Sequence, residues 1–128
     1  MKKNRLAVQI NKPVSVVFKF TITPPNSTLW IPSIVKEKTN EWPVRKETVY
    51  KLKNEKGEWS RVTVSAIKEN KFVEWISQDK NYHCRYELKP IDKNSTDLKY
   101  YEWVDQGKIN EPFTKAILEK LKSVLEKK

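Results

Sequence analysis

A tyrosine and a glutamate two residues apart near the end of the chain are the first candidates for chemistry. Tyr100 and Glu102 lie in DLKYYEWV (97–104), whose alternation is typical of a strand buried on one face. If Leu98 and Val104 point inward, Tyr100 and Glu102 do as well. A buried carboxylate needs a partner, or its pKa rises. Glu102 therefore has two readings: a structural partner of a lysine, a tyrosine hydroxyl or water, or a polar anchor or general base in an apolar pocket.

The single histidine and the single cysteine are neighbours, at positions 83 and 84. Successive side chains of a strand point to opposite faces, so Tyr82, Cys84 and Tyr86 share the expected inner face and His83 lies on the outer one. This separation argues against a Cys–His catalytic pair. One His and one Cys also cannot assemble an ordinary zinc site, so we expect no metal and no cofactor.

The 128 residues carry a net charge of +10, which raises the question of nucleic-acid binding. The basic residues are mostly scattered lysines, whereas bidentate recognition of bases and phosphates favours arginine, which occurs only at Arg5, Arg45, Arg61 and Arg85. We therefore expect a solvated lysine-rich surface, and the alternative is a weak preference for polyanions.

The hydropathy pattern and the single cysteine indicate the cellular compartment of the protein. No stretch approaches the ~18 consecutive apolar residues of a membrane span. The basic start lacks the continuous apolar run of a signal peptide. One cysteine allows no internal disulfide and is typical of a reducing compartment. These features predict a cytoplasmic protein.

Strand patterns dominate the chain between two helical regions. The segment 5–11 alternates like a half-buried strand, and further alternating segments cover 34–39, 47–53, 58–68, 71–77, 82–89 and 97–104. Short polar connectors between these segments indicate antiparallel hairpins in a meander. The chain shows no linker and no repeat, so we predict one domain, 1–128.

Two short helices are predicted after the first strand. Asn11 is a candidate N-cap with Pro13 in the first turn, and Pro24 and Pro25 end this helix. A second, very short helix carries Trp30 and is stopped by Pro32.

The last segment predicts one long amphipathic helix. Asn110 is its candidate cap, with Glu111 and Pro112 in the first turn. Its apolar stripe comprises Phe113, Ile117, Leu118, Leu121, Val124 and Leu125. A long antiparallel sheet coils and must bury its concave face, and this helix is the element large enough to cover it.

Three local patterns add a family resemblance. The stretch INKPVSVVFKFTIT (10–23), the triplet Trp30-Ile31-Pro32 and the pair YELKPI and TDLKYYEWV stand in an order similar to that of the START-like or SRPBCC superfamily. The resemblance covers essentially the whole chain. It implies an α+β, Bet v 1-type helix-grip fold: a seven-stranded curved antiparallel sheet, two short helices after strand 1, and a long C-terminal helix on the concave face.

The resemblance also implies a cavity between sheet and helix that accepts small apolar molecules. In such a container Trp30 has two roles open to it, an anchor of the core or a contact at the cavity mouth. The rings could line the cavity or fill it. The candidate ligand-binding residues are Trp30, Tyr50, Trp75, Tyr82, Tyr86, Tyr100, Glu102, Phe113 and Ile117.

We expect the protein to bind a small hydrophobic or amphipathic molecule, such as a lipid or polyketide, without turning it over. One alternative is an enzyme of the cyclase or hydrolase type that uses Glu102. A second alternative is a protein-interaction domain resembling the activator of the Hsp90 ATPase, which would use the basic surface and Trp42 or Trp103.

Overall fold

The computed structural model describes residues 1–127, which form one seven-stranded antiparallel sheet with two α-helices and a 3₁₀ helix. The β-branched and aromatic residues of the alternating segments form the strands, as their sequence predicts. The strands are β1 Lys3–Ile10, β2 Ile34–Thr39, β3 Val49–Asn54, β4 Trp59–Lys68, β5 Phe72–Ser77, β6 Tyr82–Asp92 and β7 Ser95–Val104.

Strands β2 to β7 follow one another in space as they do in sequence. Strand β1 closes the order by pairing with β7, so that β1 and β2 are the two edges. In this pairing Leu6 lies opposite Tyr100 and Val8 opposite Leu98, and Val8, Leu98 and Tyr100 are all buried. The predicted meander is confirmed, and its inner face carries the residues on which the site is built.

The two helices after β1 have the predicted order but a different cap. Helix α1 spans Val14–Ile22, and the 3₁₀ helix spans Asn26–Leu29. The prediction that Asn11 caps α1 is wrong, because Pro13 occupies the N-cap position. The backbone N–H of Asn11 instead donates to Glu126 at 2.8 Å, which ties the end of β1 to the C-terminal helix.

The C-terminal helix α2 spans Lys115–Glu126 and begins later than predicted. Thr114, and not Asn110, is its N-cap, with its side chain accepting from the Ile117 N–H. Phe113 stays outside the helix because its N–H donates to Glu102 and its carbonyl accepts from Asn4. These two bonds hold the segment before α2 against the sheet.

Helix α2 covers the part of the inner face that lies next to β1. Leu118, Leu121 and Leu125 are almost fully buried and join the same core as Val8 and Ile10. Lys122 donates to the Gln9 carbonyl at 2.8 Å. Gln9 belongs to β1, an edge strand with a neighbouring strand on one side only, so this bond satisfies a backbone group of the edge. The helix-grip arrangement is thus confirmed. Neither helix within residues 1–127 combines the length and the apolarity needed to cross a bilayer.

Candidate functional site

A cavity of about 310 Å³ lies between the inner face of the sheet and the segments that cross it. Half-buried Leu52 of β3 and Val62 of β4 form one side, and the segment 27–34 and Phe113 form part of the cover. No described residue of α2 contributes to the wall. The volume lies at the lower end of the range of about 300–1,000 Å³ usual for small-molecule sites.

Five aromatic side chains, which we call the aromatic row, cross the inner face and line this cavity. Their ring centroids are 5.5 Å apart for Tyr50 and Trp75, 5.3 Å for Trp75 and Tyr86, 5.4 Å for Tyr86 and Tyr100, and 4.3 Å for Tyr100 and Phe113. The first two pairs meet edge to face and the last pair is stacked, which are favourable ring geometries. The row forms a continuous wall, and the cavity remains open beside it.

The polar atoms of the row differ in how they are satisfied. The Tyr50 hydroxyl donates to the Ile22 carbonyl at 2.6 Å and so fixes its ring against the end of α1. The buried indole N–H of Trp75 has no hydrogen-bond partner among residues 1–127. Burial raises the pKa of Tyr86, so its hydroxyl keeps its proton and can donate.

Cys84 lies on the inner face and His83 on the outer face, as the alternation predicts. The Cys84 thiol lines the cavity, and burial, with nearby Glu102 and Glu74, raises its pKa to about 12. The thiol therefore behaves as a small hydrophobic group and not as a nucleophile. His83 stacks on Trp103 with 4.8 Å between ring centroids and pairs with Asp105 at 3.0 Å.

Glu37 is a buried carboxylate in the cavity wall that the sequence reasoning missed. It lies on β2 opposite Leu52 and is only 9% exposed. Its Oε1 accepts from the Ser27 N–H at 3.2 Å. Burial raises its pKa, and the hydrogen bonds from Ser27 offset part of that rise. A register shift between Ile34 and Lys36 turns Glu37 inward, while Val35 is exposed.

Glu102 points inward but does not line the cavity. Its Oε1 accepts from the Tyr82 hydroxyl at 2.6 Å, and its Oε2 accepts from the Asn4 amide and from the Phe113 N–H, both at 2.7 Å. These donors come from β6, β1 and the segment before α2, so the carboxylate joins three parts of the fold. With both oxygens occupied, the arrangement matches the structural reading of Glu102.

The other predicted site residues fall into two groups. Tyr50, Trp75, Tyr82, Tyr86, Tyr100 and Phe113 all line the cavity. Trp30 does not: it is 2% exposed and packs behind the row, with ring centroids 6.1 Å from Tyr86 and 5.9 Å from Phe113. Ile117 lines a separate outer groove with Thr28 and Lys120. It lies away from the cavity because α2 starts after Phe113.

Two further features concern the alternatives of metal and protein binding. No group of three or more His, Cys, Asp or Glu side chains within residues 1–127 is arranged to hold a metal ion. Trp42 is 52% exposed, whereas Trp103 is partly covered by His83.

Comparison with solved structures identifies the fold. A START superfamily protein from Mycobacterium smegmatis matches at a TM-score of 0.77 and 14% identity, over 99% of this chain and 99% of its own. The protein XoxI from Bacillus cereus matches at 0.74 and 14%, over 98% and 96%. A Polyketide_cyc-like protein from Corynebacterium glutamicum matches at 0.60 and 18%, over 80% and 64%. No protein-family model and no curated protein matches the chain. At these identities the likeness establishes the fold and not the function.

Proposed function

We propose that this chain, which has a START-like fold, binds a small and mostly apolar molecule in the inner cavity. The observation that carries the proposal is the 310 Å³ cavity itself, bounded by the aromatic row and by the side chains of Leu52 and Val62. Ligand pockets are usually lined by aromatic and aliphatic side chains with a few polar groups that orient the ligand. This cavity has that composition.

A polar atom on the ligand is also part of the proposal. Tyr86 lines the cavity, and burial raises its pKa, so its hydroxyl keeps its proton and can donate. An oxygen acceptor on the ligand could take this hydrogen bond, which supports an amphipathic ligand over a pure hydrocarbon.

We propose binding without turnover because, within residues 1–127, Glu37 is the only buried carboxylate in the cavity wall and no activated nucleophile faces it. The carboxylate of Glu102 is held by three donors and lies outside the lining. The Cys84 thiol, with a pKa of about 12, is protonated at neutral pH. A hydrolase or cyclase of the kind considered above needs a base free to take a proton from its substrate.

The test is an NMR titration of the ¹⁵N-labelled protein with hexanol, indole and naphthol as small amphipathic probes. We expect saturable shifts of backbone amides at Tyr50, Cys84 and Tyr86. Val62→Phe places a ring in the cavity and should weaken binding about tenfold or more, since about 1.4 kcal/mol of lost contact is a factor of ten.

Thr63→Phe is the matched control, because Thr63 is the next residue on β4 and lies on the outer face beside a different groove. It should leave the affinity within about twofold. Absence of saturable shifts with all three probes would overturn the proposal. Equal affinities in Val62→Phe and the unmodified protein would also overturn it.

A further inference from the structure

Glu37 combines deep burial with the lack of a cationic partner. Its side chain lines the cavity, is 9% exposed, and has Ser27 as its hydrogen-bond donor. It forms no ion pair with any Lys, Arg or His of residues 1–127, whereas the half-buried Glu74 pairs with Arg85 at 3.2 Å. A buried carboxylate is costly unless a positive charge or enough donors compensate it. The wall therefore holds a buried carboxyl group that no basic side chain of residues 1–127 pairs with.

The aromatic rings beside Glu37 would, like its carboxylate, attract a positively charged ligand. Burial raises the pKa of Tyr50, and the nearby charge of Glu37 raises it further, as it also does for Tyr86. Glu37 and the aromatic row therefore act on the same space. The faces of Tyr and Trp rings attract organic cations, and this attraction strengthens when the cation loses water.

We infer that the ligand of this cavity carries a protonated amine or a quaternary ammonium group, which pairs with Glu37 while its apolar part lies against the aromatic row. This inference rests on the proposed function and adds the charge of the ligand to it. The volume of 310 Å³ limits the ligand to a small amphiphile.

A ligand with a negatively charged head is the main competing class. Lys53 is one of the lining residues, but its ammonium lies 5.9 Å from the ring centroid of Trp59, which is not one of them, and the acidic Glu111 also lines the cavity. The net charge of +10 repels a cation at long range. Salt screens such repulsion beyond about 8 Å at physiological ionic strength, so the groups in contact with the ligand decide the preference.

A metal ion is a second competing class, and it fits the wall less well. Hard cations take six or more oxygen ligands, whereas no group of three metal-ligating side chains is present within residues 1–127. An organic cation needs one carboxylate and ring faces, which this wall offers.

The test compares three probes with one six-carbon chain and different heads: hexyltrimethylammonium, hexanol and hexyl sulfate. Isothermal titration of the unmodified protein should give the tightest binding for the ammonium probe. Glu37→Gln keeps the size of the side chain and an oxygen that accepts from Ser27, but removes the charge. It should weaken binding of the ammonium probe about tenfold or more and leave the affinity for hexanol within about twofold of that of the unmodified protein.

Glu87→Gln is the matched control, since Glu87 lies on the outer face and pairs with Arg85 at 2.7 Å. It should change none of the three affinities. The inference is overturned if hexanol or hexyl sulfate binds as tightly as the ammonium probe to the unmodified protein, a result that still leaves the proposed function standing. Failure of all three probes to bind would instead overturn the proposed function as well. The comparison of the three probes on the unmodified protein tests the inference even if Glu37→Gln does not fold.

Discussion

Replacing Glu102 by glutamine separates a structural carboxylate from a catalytic one. Glutamine can keep all three contacts: its oxygen accepts from the Asn4 amide and the Phe113 N–H, and its NH₂ donates to the Tyr82 oxygen. The Tyr82 hydroxyl is then free to donate to Tyr100, whose oxygen is 3.2 Å away. The substitution therefore removes the charge and keeps the geometry.

The expected loss of stability follows from the three hydrogen bonds. A bond to a charged group contributes about 1.5–3 kcal/mol and a neutral one about 0.5–1.5, so each bond loses about 1 kcal/mol. The neutral amide is also cheaper to bury than the carboxylate, which offsets part of this sum. We expect Glu102→Gln to lower the free energy of unfolding by about 1–3 kcal/mol. Glu102→Ala strands two donors and leaves a void, and should cost about 3–5 kcal/mol.

Urea unfolding followed by circular dichroism measures these losses of stability, and the affinity for hexanol shows whether the cavity still binds a probe. Glu87→Gln is the control, because its half-buried ion pair with Arg85 should contribute only about 1 kcal/mol and Arg85 keeps Glu74 as a second partner. Hexanol affinity of Glu102→Gln should stay within about twofold of the unmodified protein. A stability equal to that of the unmodified protein would refute the structural role of Glu102. Loss of hexanol binding in a folded Glu102→Gln protein would place Glu102 in the binding site.

Three further predictions concern the cavity wall. Tyr50→Phe removes the donor to the Ile22 carbonyl and should cost about 1–3 kcal/mol in urea unfolding, so an unchanged midpoint would show that this 2.6 Å bond contributes nothing. Glu37→Gln should be more stable than the unmodified protein at pH 7. Burial raises the pKa of Glu37 in the folded state above its ordinary value of 4.5. Between 4.5 and that raised pKa the folded state binds more protons than the unfolded state, so the stability falls as the pH rises through this window. The advantage should vanish below about pH 4, and an advantage that persists there would contradict the burial argument. Alkylation of Cys84 by iodoacetamide at pH 8 should be roughly a thousandfold slower than that of free cysteine, since its pKa is about 12, and the rate should recover in urea. A rate equal to that of free cysteine in the folded protein would contradict it.

The inner face of the later strands could be predicted from the sequence because the period of a strand is exact. Tyr82, Cys84 and Tyr86 on β6, and Tyr100 and Glu102 on β7, all point inward as their alternation requires. On β5 the same rule does not decide which face is buried, because the apolar residues Val73 and Trp75 alternate with the apolar residues Phe72 and Ile76. The structure buries Val73 and Trp75 and pairs Glu74 with Arg85.

The inward direction of Glu37 and the start of α2 after Phe113 could not be predicted, for two different physical reasons. The irregular pairing of β2 with β3 shifts the alternation, and a bulge of this kind depends on the partner strand. The start of α2 depends on tertiary hydrogen bonds: Asn110 and Thr114 are both good cap residues, and the bonds of Phe113 to Glu102 and Asn4 decide between them. The second effect removed Ile117 from the site.

The position of a bound probe inside the protein tests the proposed binding site without any substitution. Nuclear Overhauser effects between hexanol and the methyl-labelled protein locate the probe to within a few ångströms of the methyl groups. We expect contacts with the methyls of Leu52 and Val62, which line the cavity. Contacts confined to Ile117 and Ala116 in the outer groove would contradict it.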